Sequence, residues 1–139
     1  MAIMVLTAAY VSITGASTIH DRTSKAELTA EIEEKDITTF ADAGWKVVTG
    51  GLKSGSLALS LFNDIADDAL DEDMWTLFIA GVVTAFEVRL TQSAVSTSNP
   101  KYTGNLLVNK WTPLNGAVGD VASLDVTFPT SGAITRATA

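Results

Sequence analysis

The chain has 139 residues, 47% of them hydrophobic and only 18% charged, and its formal net charge is −7. This composition excludes intrinsic disorder, which requires low hydrophobicity and high charge. The excess of carboxylates argues against a dedicated nucleic-acid-binding protein, because contacts with phosphates need Lys and Arg.

The N-terminal residues 3–13 are predicted to form a strand that is covered on both faces, because residues of both parities are largely apolar. The N-terminal segment has no basic region, and the first charged residue of the chain is Asp21, so we do not interpret the segment as a signal sequence. The longest apolar stretch, residues 74–86, is shorter than the roughly 20 residues that a membrane span needs. We therefore expect no membrane span, and a single domain over residues 1–139.

Residues 25–34 alternate between polar and apolar side chains. The polar face consists of Lys25, Glu27, Thr29, Glu31 and Glu33, and the apolar face of Ala26, Leu28, Ala30 and Ile32. A period of two predicts a half-buried strand with one solvated face. A helix is the alternative, but the apolar residues alternate strictly and lack the i+3 spacing that an apolar helix stripe combines with i+4.

Residues 35–51 show no regular periodicity and end in Gly50-Gly51, which we interpret as a turn. Loops longer than about 12–15 residues are uncommon in compact domains and usually have a function. This segment carries four large apolar side chains, namely Phe40, Trp45, Val47 and Val48. We predict a docking arm that contacts another subunit. The alternative is a loop that folds back over its own core.

The alternation in residues 52–62 predicts a strand, and its apolar face carries Leu57, Leu59 and Leu61. The only helix is predicted over residues 64–80. It rests on the spacing of Ala66, Leu70, Met74, Leu77 and Phe78. Asn63 or Asp64 is expected to cap its start, and Gly81 is expected to end it.

The second half of the chain predicts strands at residues 82–92, 102–111 and 121–128, with a short edge strand at 133–138. The order of elements indicates a mainly β fold with one helix. A sandwich or a partly closed barrel with a flanking helix accommodates this order.

The residues offer little for catalysis or metal binding. The chain has no cysteine, and its single His20 is expected to be solvated. The acidic run 67–73 lacks the residue order of a calcium loop, and Gly50 to Ser54 lack the spacing of a phosphate loop. Glu27, Glu31 and Glu33 have a spacing compatible with a glycosidase pair, but no aromatic cleft accompanies them. We expect no enzymatic activity, no metal and no cofactor.

Four of the predicted strands share one property, which is a nonpolar face opposite a face of Ser, Thr, Asn, Glu or Asp. They are residues 25–34, 52–62, 102–111 and 121–128. Assembled into one sheet, they would form a polar surface with the carboxylates of Glu27, Glu31, Glu33 and Asp125. The pattern alone does not distinguish a solvated sheet face from the wall of a channel.

The second half also carries a series of short motifs at residues 98–104 (SNPKYTG), 111–120 (WTPLNGAVGD), 124–128 (LDVTF) and 132–138 (GAITRAT). In their order and spacing these motifs resemble the tail tube proteins of long-tailed, siphovirus-type bacteriophages. The first strand, the long loop and the acidic helix look similar too, so the resemblance spans nearly the whole chain.

The resemblance implies two packed β-sheets that form a sandwich-like barrel flanked by one helix, and subunits that assemble as hexameric rings. Stacked rings would form a hollow tube, and one sheet of each subunit would line it. The residues implied to face the lumen are Glu27, Glu31, Glu33, Ser56, Ser60, Asn105, Asn109, Ser123, Asp125 and Thr127. Leu107 and Trp111 share this parity and fit a polar lumen poorly.

The implied partners are copies of the chain itself, the tape-measure protein, and the tail terminator and tail-tip proteins. Double-stranded DNA would pass through without specific binding. The implied location is the tail of the virion, assembled in the bacterial cytoplasm. The alternative function is a β-sandwich binding module, such as a carbohydrate-binding or capsid-decoration domain.

Overall fold

A computed structural model describes residues 3–16 and 19–139. The elements in chain order are β1 (Tyr10–Ile13), α1 (Ile19–Arg22), β2 (Thr23–Asp36), a 3₁₀ turn (Phe40–Asp42), β3 (Val48–Phe62), α2 (Leu70–Ala80), β4 (Thr84–Arg89), β5 (Lys101–Leu106) and β6 (Ser123–Ala137). The predicted mainly β fold with a helix is confirmed, and the short α1 is a second helix that the sequence did not predict.

All six strands belong to one antiparallel sheet with the order β1-β4-β5-β6-β3-β2. Strand β6 joins its two halves, because residues 123–129 pair with β3 and residues 130–137 pair with β5. The two sheets expected from the sequence are therefore two halves of one hydrogen-bonded sheet.

The core lies between these halves and follows from the alternation along the strands. Leu57, Leu59 and Leu61 of β3 stand opposite Phe128, Val126 and Leu124 of β6, and all six are buried. The other half of the sheet adds Val11, Ile13, Phe86 and Leu106, and α2 adds Leu70 and Met74. Burying an aliphatic or aromatic side chain of this size stabilises the fold by about 1.5–3 kcal/mol.

The predicted strand over residues 3–13 is wrong in its first part, because only Tyr10–Ile13 pair with β4. Strand β4 ends at Arg89, opposite Tyr10, so the residues before Tyr10 have no strand beside them. Ile3 and Val5 are exposed rather than covered on both faces.

The loop predicted over residues 35–51 is shorter than expected. Strand β2 continues to Asp36, and β3 begins at Val48, directly opposite it. The turn expected at Gly50-Gly51 is wrong, since Gly50 pairs with Glu34. A Cβ atom at Gly50 would lie 2.6 Å from the Cδ1 atom of Ile32, so a larger residue there would require the exposed Ile32 side chain to move.

The helix predicted over residues 64–80 begins at Leu70. Asp64 does not cap it. The Asp64 carboxylate accepts a hydrogen bond from the Ala66 N–H at 3.0 Å, and the Asp64 backbone carbonyl accepts one from the Asp71 N–H at 3.0 Å. Asp68 adopts a left-handed conformation with φ 55°, which interrupts helical geometry. The predicted stop is confirmed, since Gly81 is the left-handed C-cap.

The strands of the second half differ from the prediction mainly in their ends. Strand β4 is shorter than 82–92, and β5 ends at Leu106 rather than at residue 111. The two strands predicted at 121–128 and 133–138 are one strand, β6. Pro129 does not end it, because the strand changes partner at this position.

Candidate functional site

The four strands with polar faces are neighbours in the sheet, in the order β5-β6-β3-β2. Directly opposed residues of antiparallel strands share a face, and the register places Thr127 beside Ala58 beside Glu27. On the half that β2, β3 and the first part of β6 form, the face away from the core is here called the polar face. It carries Lys25, Glu27, Thr29, Glu31, Glu33, Ser54, Ser56, Ser60, Ser123, Asp125 and Thr127. Thr103 and Asn105 lie on the outer face of the other half.

Every residue predicted to face a lumen lies on the polar face except Asn105 and Asn109. Asn109 is exposed but follows the end of β5, so its position is not fixed by the sheet. Leu107 and Trp111, the apolar residues that fitted a polar lumen poorly, also follow the end of β5, so the sheet does not fix their position. Trp111 is only 8% exposed, and its Nε1–H donates to Oδ1 of Asp71 at 3.1 Å, which attaches the segment after β5 to α2.

Hydrogen bonds orient several groups of the polar face. The Ser60 hydroxyl on β3 donates to Oδ1 of Asp125 on the neighbouring β6 at 2.5 Å. The Thr29 hydroxyl donates to Oε1 of Glu27 at 3.3 Å. Glu33, beside a register shift in β2, pairs with Lys35 at 3.0 Å. The result is an acidic surface with hydroxyl groups between its carboxylates.

The acidity is confined to the half that β2, β3 and β6 form. On the neighbouring β4, the carboxylate of Glu87 lies 3.7 Å from Arg89 and 3.9 Å from Lys101. These cations compensate the charge of Glu87. Sequence reasoning did not identify this division, because it depends on which cation stands beside which carboxylate.

The β2–β3 hairpin extends beyond the core as a two-stranded arm, here defined as residues 31–54. Its loop, residues 37–47, is held by a hydrogen bond from the Ile37 N–H to the Val47 carbonyl at 3.0 Å. A capping box between Thr39 and Asp42 orders the 3₁₀ turn.

The apolar side chains of the predicted docking loop lie on this arm. Phe40 is fully exposed, Trp45 is 79% exposed, and Val47 and Val48 are exposed as well. The alternative that the loop covers its own core is therefore wrong. Val48 belongs to β3 rather than to the loop.

A cleft of about 800 Å³ opens between the two edges of the folded sheet. Its lining is largely apolar and includes Leu28 and Ile134, and three basic residues contribute to it, namely Lys25, Arg89 and Arg136. These cations come from three distant parts of the chain, so no local sequence pattern identifies the cleft.

His20 is half-buried rather than solvated. Its ring lies 5.3 Å from that of Tyr10, and its Nδ1 atom accepts from the backbone N–H of Val11 at 3.3 Å. Within residues 3–16 and 19–139, no group of three or more His, Asp or Glu residues is placed to hold a metal ion. No helix in the same described ranges is long and apolar enough to cross a membrane.

A protein-family model described as "Phage tail tube protein" matches residues 12–136. No curated protein matches the chain. Solved structures are similar to it as well, among them two from gene transfer agent particles. One is from the virion of a native gene transfer agent (GTA) particle, with a TM-score of 0.66, 20% identity, and coverage of 83% of this chain and 84% of that chain. The other is from the tail of an empty GTA particle with C6 symmetry, with a TM-score of 0.65, 20% identity, and coverage of 82% and 81%.

Proposed function

The chain belongs to the phage tail tube protein family, and on that premise we propose that it is the repeating subunit of a tube built from stacked hexameric rings. It is a structural protein of the virion tail. The six-fold ring is proposed from the similar fold of the GTA tail, which has C6 symmetry. The observation that carries the proposal is the polar face, on which β2, β3 and the first part of β6 place carboxylates and hydroxyl groups side by side.

In this arrangement the polar face lines the lumen. Its carboxylates repel the phosphates of DNA, and its small hydroxyl groups give bases little to bind. The carboxylates of Glu27, Glu31 and Asp125 have no cation paired with them in the described part of the chain. A conduit with this surface lets double-stranded DNA pass without holding it.

The arm supplies contacts between subunits. Phe40 and Trp45 expose large apolar surfaces that the isolated chain does not cover, and a neighbouring subunit or ring buries them. Each such side chain contributes about 1.5–3 kcal/mol when it is fully removed from water. Aromatic anchors of this kind dominate many protein interfaces.

The remaining partners are those that the family resemblance implies. A ring closes by rotation through unlike surfaces, while stacking repeats without limit and leaves two different ends. One end requires a terminator protein and the other a tip protein. The lumen holds the tape-measure protein before DNA passes, and assembly takes place in the bacterial cytoplasm. The role is non-enzymatic, and the subunit needs no cofactor.

Negative-stain electron microscopy of the concentrated wild-type protein tests the proposal. We expect hollow rings or tubes, with six subunits visible in end views. Only small monodisperse particles, over a range of protein and salt concentrations, would contradict it and favour the alternative of a binding module.

A further inference from the structure

We propose that His20 is a pH-sensitive clasp, which holds the edge strand β1 at the open side of the sheet and releases it when the imidazole is protonated. The clasp is a hydrogen bond from the backbone N–H of Val11 to Nδ1 of His20, at 3.3 Å. It is a property of the folded subunit, so it goes beyond the proposed function and does not depend on assembly into a tube.

The clasp lies at the seam, here defined as the gap between the edge strands β1 and β2. These two strands stand at opposite ends of the strand order. The short α1 leads directly into β2, so His20 belongs to the β2 side of the seam, while Val11 lies in β1. Both residues line the cleft of about 800 Å³. The hydrogen bond between them therefore joins the two edges of the sheet.

The backbone N–H of Val11 points away from β4 and toward the seam. The Thr14 N–H donates to the Ala85 carbonyl at 2.9 Å, and in an antiparallel pair the backbone groups of alternate residues point to the same side. Val11 and Ile13 therefore present their backbone groups to the other side. The Ile13 carbonyl accepts from the Ala16 N–H at 3.0 Å. The outer edge of β1 is thus closed by the chain that follows it.

Only one protonation state of the imidazole can form the clasp. A neutral imidazole accepts at one ring nitrogen and donates at the other, whereas an imidazolium donates at both. The hydrogen bond from Val11 therefore places the proton of the neutral His20 ring on Nε2. A proton added at Nδ1 sets two N–H donors against each other. Val11 is only 2% exposed, so its N–H is then left buried without an acceptor, which is unfavourable.

The aromatic and charged groups of β1 and β4 offer the imidazolium no carboxylate. The Tyr10 ring lies 5.3 Å from the His20 ring, and the Arg89 guanidinium lies 4.1 Å from the centroid of the same Tyr10 ring. The Glu87 carboxylate of β4 is engaged by two cations, with Arg89 at 3.7 Å and Lys101 at 3.9 Å.

The other elements do not supply a carboxylate either. The charged or titratable residues that they contribute to the cleft are Lys25 of β2, Tyr102 of β5 and Arg136 of β6. No Asp or Glu lines the cleft in the described part of the chain. On α1 itself, Arg22 pairs with Asp64, and the exposed Asp21 directly follows His20 in the helix, where successive side chains do not face each other. No ion pair therefore offsets the lost hydrogen bond when His20 is protonated.

Release of the clasp loosens the N-terminal end of the fold. Strand β1 has only four residues, and it attaches the preceding residues 6–9, which line the cleft, to the sheet. Freeing its outer edge leaves β1 held by β4 alone. Imidazole is the side chain whose charge changes between about pH 5 and about pH 8, so the release occurs in mildly acidic solution.

Hydrogen exchange of the Val11 amide, followed by NMR on the dilute full chain from about pH 8 to about pH 5, tests the clasp. We expect its protection factor to fall by about tenfold or more as the imidazole becomes charged, which corresponds to the loss of one hydrogen bond. The Leu107 amide donates to the Pro129 carbonyl at 3.1 Å and is the control, because neither group titrates. NMR of the ring nitrogens shows which of them carries the proton at each pH.

Two variants separate the clasp from a general effect of pH on the fold. His20→Asn places an uncharged oxygen acceptor close to the position of Nδ1, and His20→Phe keeps a ring without an acceptor. We expect the first variant to protect the Val11 amide at every pH of the series, and the second at none. Circular dichroism verifies folding. Should His20→Phe not fold, the wild-type titration and His20→Asn decide the question.

Constant protection of the Val11 amide while the imidazole becomes charged would overturn the inference. A neutral ring that carries its proton on Nδ1 would overturn it as well, and so would an imidazole that stays neutral over the whole series. Wild-type protection of Val11 in a folded His20→Phe would show that another group holds the edge of β1, and would equally contradict the clasp.

Discussion

Asp64 connects three segments of the subunit through its side chain and its backbone. Its carboxylate accepts from the guanidinium of Arg22 in α1, with the Nε atom at 2.9 Å. It also accepts from the N–H of Ala66, while its carbonyl accepts from Asp71 in α2. One residue thus holds the end of β3, the short α1 and the start of α2 together.

The interactions of Asp64 are expected to make the folding stability of the subunit depend on pH. The hydrogen bond from the Ala66 N–H, and then the Arg22 guanidinium, lower the pKa of Asp64 below its ordinary value. A carboxyl group with a lower pKa in the folded state contributes stability that is complete above its unfolded pKa and is lost as the pH falls through its folded pKa. We expect Asp64→Asn to be less stable than the wild type at pH 7, and the difference to shrink between about pH 5 and about pH 2.

Urea midpoints measured over this pH range check the expectation. Asp67→Asn is the matched control, because the Asp67 carboxylate makes no ion pair in the described ranges. A constant difference between wild type and Asp64→Asn from neutral to acidic pH would contradict the assigned role.

At the scale of elements, the sequence predicts what alternation and spacing encode directly. Leu57, Leu59 and Leu61 define the buried face of β3, and the opposite parity defines the polar face. Gly81 marks the end of α2. These features depend on neighbouring residues, so a local pattern is sufficient to identify them.

The ends of several elements depend instead on distant partners. Strand β1 begins at Tyr10 because β4 offers no backbone beyond Arg89. Gly50 belongs to β3 because β2 extends far enough to pair with it. The cleft was not predicted for the same reason, since its cations meet only in the folded chain.

The prediction at the scale of elements concerns the arm and its role in assembly. Phe40→Ala with Trp45→Ala removes two exposed aromatic rings, so we expect the melting temperature to stay nearly constant. Assembly should weaken strongly, because truncating interface anchors commonly costs about 2 kcal/mol or more each. Analytical ultracentrifugation measures both the monomer and the tubes.

Val118→Ala is the control for this variant, because Val118 is a fully exposed apolar residue outside the arm. A second variant replaces residues 37–47 by Asn-Gly, which suits a two-residue turn between Asp36 and Val48. Normal tube formation by both arm variants would show that the loop is not a docking element.

At the scale of the whole molecule, the net charge of −7 is unevenly distributed. Part of it lies on residues 64–73, before α2 and in its first turn, and part lies on the polar face. Each surface of the subunit thus has its own electrostatic character, which suits a protein that meets DNA on one side and copies of itself on others.

The lumen assignment predicts an effect on DNA passage. Changing Glu27, Glu31 and Glu33 together to Lys should leave folding and tube formation largely intact, because all three side chains are exposed. The added cations should hold phosphates and retain DNA in the tube. Phage infectivity and DNA co-sedimentation with purified tubes measure the effect.

The same three residues changed to Gln give the matched control, because this change removes the negative charge without adding a positive one. We expect this variant to release DNA with little impairment. Unchanged infectivity of the Lys variant would show that the polar face does not line the channel.

The path of β6 has a mechanical consequence for a tube under load. Its backbone runs through both halves of the sheet, with seven residue pairs to β3 from Ser123 up to and including Pro129, and the pairs to β5 after it. A force that pulls the two halves of the sheet apart acts along the β6 backbone. It must therefore break many of the hydrogen bonds between β6 and its neighbours at the same time. The subunit can therefore transmit tension across its width, which suits a slender filament that bends without rupture.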